Sequence, residues 1–272
     1  MHLLPLLLYA AAAVAYIAHF AWREPGVGRL ATATLGSGVL AHTFLIGMQT
    51  VEAGHAPLVG TTAAISAFVW LLGLSYLYVE LTSDERSMGA FVAVLLVALD
   101  VMPAFDSTVS ARPPVLQSPL FTIHVVTMLF AYASLALACV LGVTYVLLFK
   151  EIKARHLGFF YARLPSLQAL DVMNSRAVTV GWIFLTIGLA IGGIWASQLQ
   201  SSPDPRAQAM SLGDPKILVA LLSWGVYSFA LFARRAIGWS GRRAAYLSAI
   251  GFVIVLLNFV PVGYFLTKSH NF

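Results

Sequence analysis

Among the ionisable side chains that lie inside long apolar runs of this sequence, three are the residues best suited to carry chemistry. His124 is the one acidic or basic residue in the run 119–149, while His42 and Asp100 lie in two other apolar runs. A polar side chain inside hydrocarbon is costly, so such residues indicate a functional site by default. Imidazole nitrogens can bind a metal or carry a proton, and a carboxylate can orient a metal-bound imidazole.

Among metal sites, haem iron suits these histidines better than a free zinc ion. Zinc needs three or four closely spaced ligands, whereas the sequence has no His-Glu-x-x-His motif and only one cysteine, Cys139. A porphyrin is large and mostly apolar, so a cleft between helices can bury it while imidazoles approach the iron axially. Other interpretations stay open: His124 could be hydrogen-bonded by a neighbouring helix, and His42 and Asp100 could form an interhelical pair. Asp100 could also accept the second ring N–H of a metal-bound histidine.

The composition predicts the class of protein that positions these residues. Sixty per cent of the residues are hydrophobic, only 10% are charged, and the mean hydropathy is +0.85. Soluble domains carry about 25% charged residues, so we predict an all-α, polytopic bundle of helices in a lipid bilayer. The net charge of +5 then reflects orientation and lipid contacts rather than nucleic-acid binding. No nucleotide-binding loop, activated nucleophile or catalytic carboxylate pair is found, so no catalytic residue is predicted.

Eight apolar segments predict about eight transmembrane helices in one integral-membrane domain, 1–272. The connection 150–176 mixes basic and apolar residues, which is typical of an amphipathic segment at the cytoplasmic interface. The predicted spans are 3–22, 29–50, 61–79, 89–105, 120–149, 177–198, 217–233 and 244–266.

The basic residues predict the orientation of these spans. With the N-terminus outside, twelve of the sixteen lysines and arginines fall on the inner side and four on the outer side. This bias predicts both termini on the periplasmic side of a bacterial inner membrane. At 1.5 Å per residue, His124 and Asp100 lie about 7 Å and about 8 Å below the outer edge. His42 lies slightly outward of the middle of its span, so all three groups share the outer half of the bilayer.

Several motifs in sequence order resemble those of a known membrane family. They are GHAPLVGTTAAISAFVW, HVVTMLFAYASLALACVLGVTYVL, GGIWAS, GDPKILVALLSWGVYSFAL and GWSGRRAAYLSAIGFVIVLLNF. Together they resemble the cytochrome c assembly family, the CcsA-like and HemX-like membrane proteins, and the resemblance covers residues 36–272.

The resemblance implies roles for three histidines. His124 takes the place of the first external haem ligand, and His270, in the closing KSHNF, takes that of the second. His42 resembles a transmembrane histidine that holds haem in transit. The implied cofactor is haem b, and the implied partners are haem, a second cytochrome c biogenesis subunit or apocytochrome c.

The external loop departs from the family pattern. The family has a tryptophan-rich run ending in Trp-Asp-Pro-Lys, against which haem lies. Here Ser-Leu-Gly precedes Asp214, although Trp195 and Trp224 persist on either side of the loop. The partner of the transmembrane histidine falls near Phe232, which cannot bind iron. The resemblance therefore favours the smaller HemX-like branch.

The leading prediction is a membrane protein of c-type cytochrome biogenesis that handles haem at the outer face through two external histidines. An alternative is a HemX-like regulator of tetrapyrrole synthesis that transfers no haem and acts through segment 150–176. A third is an ion or proton transporter using Asp100 and His42. It ranks last because the Gly- and Pro-broken paired helices of inverted repeats are missing.

Overall fold

The computed structural model describes residues 2–106, 116, 118–155, 158, 161–199 and 215–257. In these ranges the regular secondary structure is helical and no strand occurs. This confirms the prediction of an all-α membrane bundle. The eight helices within these ranges are α1 Leu3–Trp22, α2 Pro25–Ala53, α3 Thr61–Ser83, α4 Gly89–Phe105, α5 Pro119–Lys153, α6 Leu167–Leu199, α7 Pro215–Ala236 and α8 Arg242–Leu257.

Six of these helices are long and apolar enough to cross a membrane, namely α1, α2, α3, α5, α6 and α7. The apolar α4 has 17 residues and coincides with the predicted segment 89–105. The largest difference from the predicted spans is at α6, which begins at Leu167 rather than near residue 177. The Ser166 hydroxyl accepts a hydrogen bond from the Ala169 N–H, 3.1 Å away, and so caps the helix earlier. The end of the predicted connection 150–176 is therefore the first turns of α6.

Helix α5 lies at the centre of the bundle and packs against α3, α6 and α8. Its start is defined by the Ser118 hydroxyl, which accepts from the Leu120 N–H, and by Pro119 in the first turn. Small residues let neighbouring backbones approach closely. At Gly142, an added Cβ would lie 2.8 Å from the Ala245 carbonyl oxygen of α8.

Basic side chains tie together one end of the bundle. Arg23, after α1, donates to the Ala162 carbonyl before α6 at 2.9 Å. Asp171 of α6 accepts from both terminal nitrogens of Arg234 and from the Gly241 N–H. Consecutive helices alternate in direction, so these contacts gather the basic connections at a single end. That grouping agrees with the charge bias, while the compartment that each end faces stays a prediction.

The opposite end carries the starts of α1, α3, α5 and α7, and we refer to it as the predicted outer end. The Ser75 hydroxyl of α3 bonds to the Ser134 hydroxyl of α5 at 3.0 Å. Both helices begin at this end, and these residues lie 14 and 15 positions after their first residues, so α3 and α5 lie at matching depth. His124, five residues into α5, therefore lies at about the depth of Ser66, five residues into α3.

Candidate functional site

The imidazole of His124 is fixed against α6 by a hydrogen bond. Its Nδ1 lies 2.8 Å from the Gly188 carbonyl oxygen. A carbonyl can only accept, so Nδ1 carries the proton, and in the neutral ring Nε2 holds the acceptor lone pair. Metal-binding histidines commonly have this arrangement, with one nitrogen donating to a carbonyl or carboxylate and the other facing the metal. His124 is half-buried, five residues into α5.

Two glycines of α6 make room for this imidazole. A Cβ added at Gly192 would lie 2.6 Å from Cε1 and 2.7 Å from Nδ1 of His124. A Cβ added at Gly188 would lie 2.7 Å from the sulfur of Met128, also on α5. The adjacent Gly193 has no neighbouring atom within 4 Å of an added Cβ. From the sequence, the spacing of Gly188 and Gly192 indicates only close helix packing; in the structure, that packing seats the histidine.

Trp195, one turn further along α6, forms a wall beside the histidine. Its ring centroid lies 6.3 Å from that of His124 and 5.3 Å from that of Phe121. Trp195 is only 6% exposed and packs with Phe121 and Leu116 in a small apolar cluster separate from the main core. Its indole N–H is buried and has no hydrogen-bond acceptor among the described residues. The structure thus brings together His124 and Trp195, two of the residues selected by resemblance.

Trp224 occupies a different position, on the seam between α6 and α7. Its indole N–H donates to the Thr186 hydroxyl at 2.9 Å, and Trp182 donates to the Ser228 hydroxyl at 2.7 Å. The two bonds run in opposite directions between the same helices and hold them together. Trp224 lies at the level of Thr186, two residues before Gly188.

Two other predicted site residues, His270 and Asp214, lie outside the described residues. The structure therefore gives no geometry for the second external histidine or for the loop that begins the Asp-Pro-Lys motif. Phe232, at the position implied for a second transmembrane histidine, is 58% exposed on α7. Helix α7 packs against α6 and α8. All three assignments stay predictions.

His42 lies in a separate and more enclosed site. It is 1% exposed; its Nδ1 is 3.2 Å from the Tyr9 hydroxyl of α1 and its Nε2 is 2.9 Å from the Ser66 hydroxyl of α3. Asp100 is also buried nearby but forms no hydrogen bond with His42, so the two hydroxyls replace the interhelical pair considered from the sequence. Tyr9 and Ser66 carried no sequence signal that distinguishes them from other hydroxyl residues in apolar runs.

A cavity of about 20 Å³ lies beside His42 between α1, α2, α3 and α4. That volume holds about one water molecule. Its polar lining includes Ser66, Thr62, Asp100 and Asp106. The three ionisable groups predicted in the outer half of the bilayer therefore belong to two sites, with His124 between α5 and α6 and the other two among the first four helices.

Comparison with known proteins gives a consistent assignment over most of the chain. Residues 58–270 match the family model described as cytochrome C assembly protein. The cytochrome c biogenesis protein CcsA of Guillardia theta is 28% identical over 260 residues, covering 87% of this chain and 84% of that protein. CcsA of Synechococcus elongatus is 25% identical over 293 residues, covering 91% and 88%. CcsA of Chlamydomonas reinhardtii is 26% identical over 246 residues, covering 88% and 67%.

Proposed function

Because the chain belongs to the cytochrome c assembly protein family, we propose that it acts in cytochrome c biogenesis by holding haem at the predicted outer end through His124. The relatives named above are cytochrome c biogenesis proteins, and the similarity covers most of their length. The six helices long enough to cross a bilayer support a multi-pass membrane protein. Placement in a bacterial inner membrane, with this end facing the periplasm, is part of the proposal.

The observation that carries the proposal is the hydrogen bond from His124 Nδ1–H to the Gly188 carbonyl. It fixes the tautomer and the ring orientation, which are the two properties that an axial iron ligand needs. The buried Trp195 ring, 6.3 Å from the imidazole between centroids, makes this side of the site apolar.

The second axial ligand in this proposal is His270. It follows the last helix in sequence and, with the predicted orientation, lies on the same side of the membrane as His124. Bis-histidine coordination by two residues far apart in the chain would clasp haem b between the bundle and the C-terminal segment. Haem is here a cargo held for apocytochrome c, which would receive it directly or through a second biogenesis subunit.

The visible spectrum of the purified full chain tests this proposal. Protein from haem-replete cells is expected to show a Soret band, and His124→Ala is expected to lose it because the fixed ligand is gone. His55→Ala is the matched control, since His55 is a half-buried histidine near the same end whose Nδ1 is 3.1 Å from the Ala56 carbonyl in its own loop. A wild-type protein without haem, or equal loss in both variants, would overturn the assignment of His124.

Imidazole rescue separates loss of a ligand from loss of the fold. In His124→Gly, added imidazole is expected to restore a bis-nitrogen haem spectrum, because the seat on Gly192 is preserved. Failure of rescue in a folded His124→Gly protein, with wild type still binding haem, would place the ligand elsewhere.

A further inference from the structure

The cavity among α1–α4 contains a buried carboxylate without a partner. Asp100 is 3% exposed and lines the cavity, and no described residue forms a hydrogen bond or an ion pair with it. An ionised carboxylate in the bilayer is strongly unfavourable unless a cation or several donors compensate it. The sequence places Asp100 in the apolar segment 89–105, far from any lysine or arginine along α4. The charge of this side chain must therefore be balanced by something other than a described side chain.

Among the described residues, the hydroxyl, amide and carboxylate groups around Asp100 offer oxygen atoms, and none of the groups carries a permanent positive charge. Helix α3 contributes the Ser66 and Thr62 hydroxyls, and Thr62 donates to Asp106 of α4 at 3.1 Å. Gln49 of α2 adds a side-chain amide. No lysine or arginine is among the described residues that line the cavity.

The titratable groups facing Asp100 are few. From α1 and the residue before it come Tyr9 and His2, from α2 comes His42, and from α4 itself comes Asp106. His42 has both ring nitrogens engaged by hydroxyls, which a neutral imidazole satisfies by donating one bond and accepting the other. Asp106 is exposed and accepts a hydrogen bond from Thr62, so Asp100 is the carboxylate that is buried beside the cavity.

The size of the cavity limits what can occupy it. About 20 Å³ accommodates one water molecule or one dehydrated ion, and excludes a porphyrin in this conformation. Carboxylate, hydroxyl and amide oxygens are ligands for hard cations rather than for soft metals.

We propose that this cavity binds a single small monovalent cation, a sodium ion or a proton, against the carboxylate of Asp100. The site lies among α1–α4, away from the α5–α6 site of His124, and does not depend on the haem proposal. Either cation neutralises the charge of the Asp100 carboxylate inside the membrane. The two cations differ in whether the bound ion responds to the sodium concentration.

Infrared absorption spectra of the full chain in lipid vesicles, recorded in NaCl and again in choline chloride at constant pH, distinguish them. A protonated-carboxyl C=O band that is unchanged by sodium identifies the proton. A band that sodium removes, or no band together with a higher unfolding temperature in NaCl, identifies sodium. In each case the signal should vanish in Asp100→Asn. The proposal is overturned if wild type shows neither the band nor the sodium shift, or if Asp100→Asn behaves like wild type.

Two further variants keep the test decisive. Asp100→Leu has a similar volume and removes the carboxylate, so it should fold and should also lose the band or the shift even if Asp100→Asn does not fold. Glu52→Gln removes an exposed carboxylate near the same end of α2 and should leave both signals unchanged. A signal lost in Glu52→Gln and kept in Asp100→Leu would assign the cation to the membrane surface and overturn the proposal.

Discussion

His124 and His42 lie in the same half of the bundle, yet they differ in burial and in their hydrogen-bond partners. His124 gives its Nδ1 proton to a backbone carbonyl of α6 and is half-buried. His42 is 1% exposed and bonds to hydroxyl groups at both nitrogens. A carbonyl can only accept and therefore fixes the tautomer, whereas a hydroxyl can donate or accept and leaves it adjustable. The first environment suits an iron ligand, and the second suits a structural or proton-carrying imidazole.

In both sites a ring packs directly against a glycine of the neighbouring helix, but the two sites differ in which ring does so. The His124 ring rests on Gly192, and the Tyr9 ring that bonds His42 rests on Gly38, where an added Cβ would lie 2.9 Å from the ring carbons. In the α5–α6 site the ring against the glycine is that of the histidine itself. In the α1–α4 site it is the ring of Tyr9, whose hydroxyl bonds to the histidine.

The largest effect is expected from filling the space that Gly192 leaves for the His124 ring. Gly192→Ala places a methyl group within 2.7 Å of the imidazole, so the ring must leave the Gly188 carbonyl. Loss of the group that orients a metal-binding histidine weakens metal affinity by roughly 10–100-fold. Haem titration of the purified variant, followed in the Soret region, should show a weakening of this size.

Gly193→Ala provides the matched control, because the same methyl group there meets nothing within 4 Å. Wild-type haem affinity in both variants would mean that the contact between Gly192 and the imidazole does not position the ligand. Equal weakening in both would point to α6 as a whole rather than to the contact with His124.

A smaller effect is expected in the other site. Tyr9→Phe keeps the ring on Gly38 but removes the hydroxyl from His42 Nδ1, leaving a buried nitrogen without its partner. Such a loss costs about 1–3 kcal/mol of stability. The thermal unfolding temperature should fall accordingly, while haem affinity at His124 should stay unchanged. Tyr78→Phe removes an exposed hydroxyl and should leave both properties unchanged; a haem defect in Tyr9→Phe would show that the two sites are coupled.

The sequence predicted the positions of most helices well because apolar length is a local property, while the number of helices that cross the membrane stays a prediction. The segments 3–22 and 89–105 coincide with α1 and α4, and simple counting placed His124 and Asp100 in the same half of the bundle. The start of α6 was missed because the Ser166 cap lies in a mixed stretch that hydropathy treats as a connection.

Side-chain partners could not be predicted in the same way, since they depend on which helix faces are neighbours. The pairing of His42 with Tyr9 joins residues 33 positions apart, and that of His124 with Gly188 joins residues 64 apart. Hydroxyl residues and glycines are common in membrane helices, so neither partner stood out among the many serines, threonines and glycines of the chain. The resemblance selected Trp195 and Trp224 together. Only the structure shows that Trp195 lies beside His124, whereas Trp224 lies between α6 and α7.

The smallest expected effect tests that separation. Trp224→Phe keeps an aromatic ring on α7 but removes the bond to Thr186, and an interhelical hydrogen bond in a membrane protein contributes about 0.6 kcal/mol on average. A slight loss of thermal stability with unchanged haem affinity is expected, because the bond holds α7 against the outer part of α6 rather than touching the imidazole. Trp22→Phe, at a tryptophan that is 75% exposed, supplies the baseline for replacing an indole at a helix end. A haem defect specific to Trp224→Phe would show that the α6–α7 seam sets the position of Gly188 and so belongs to the His124 site.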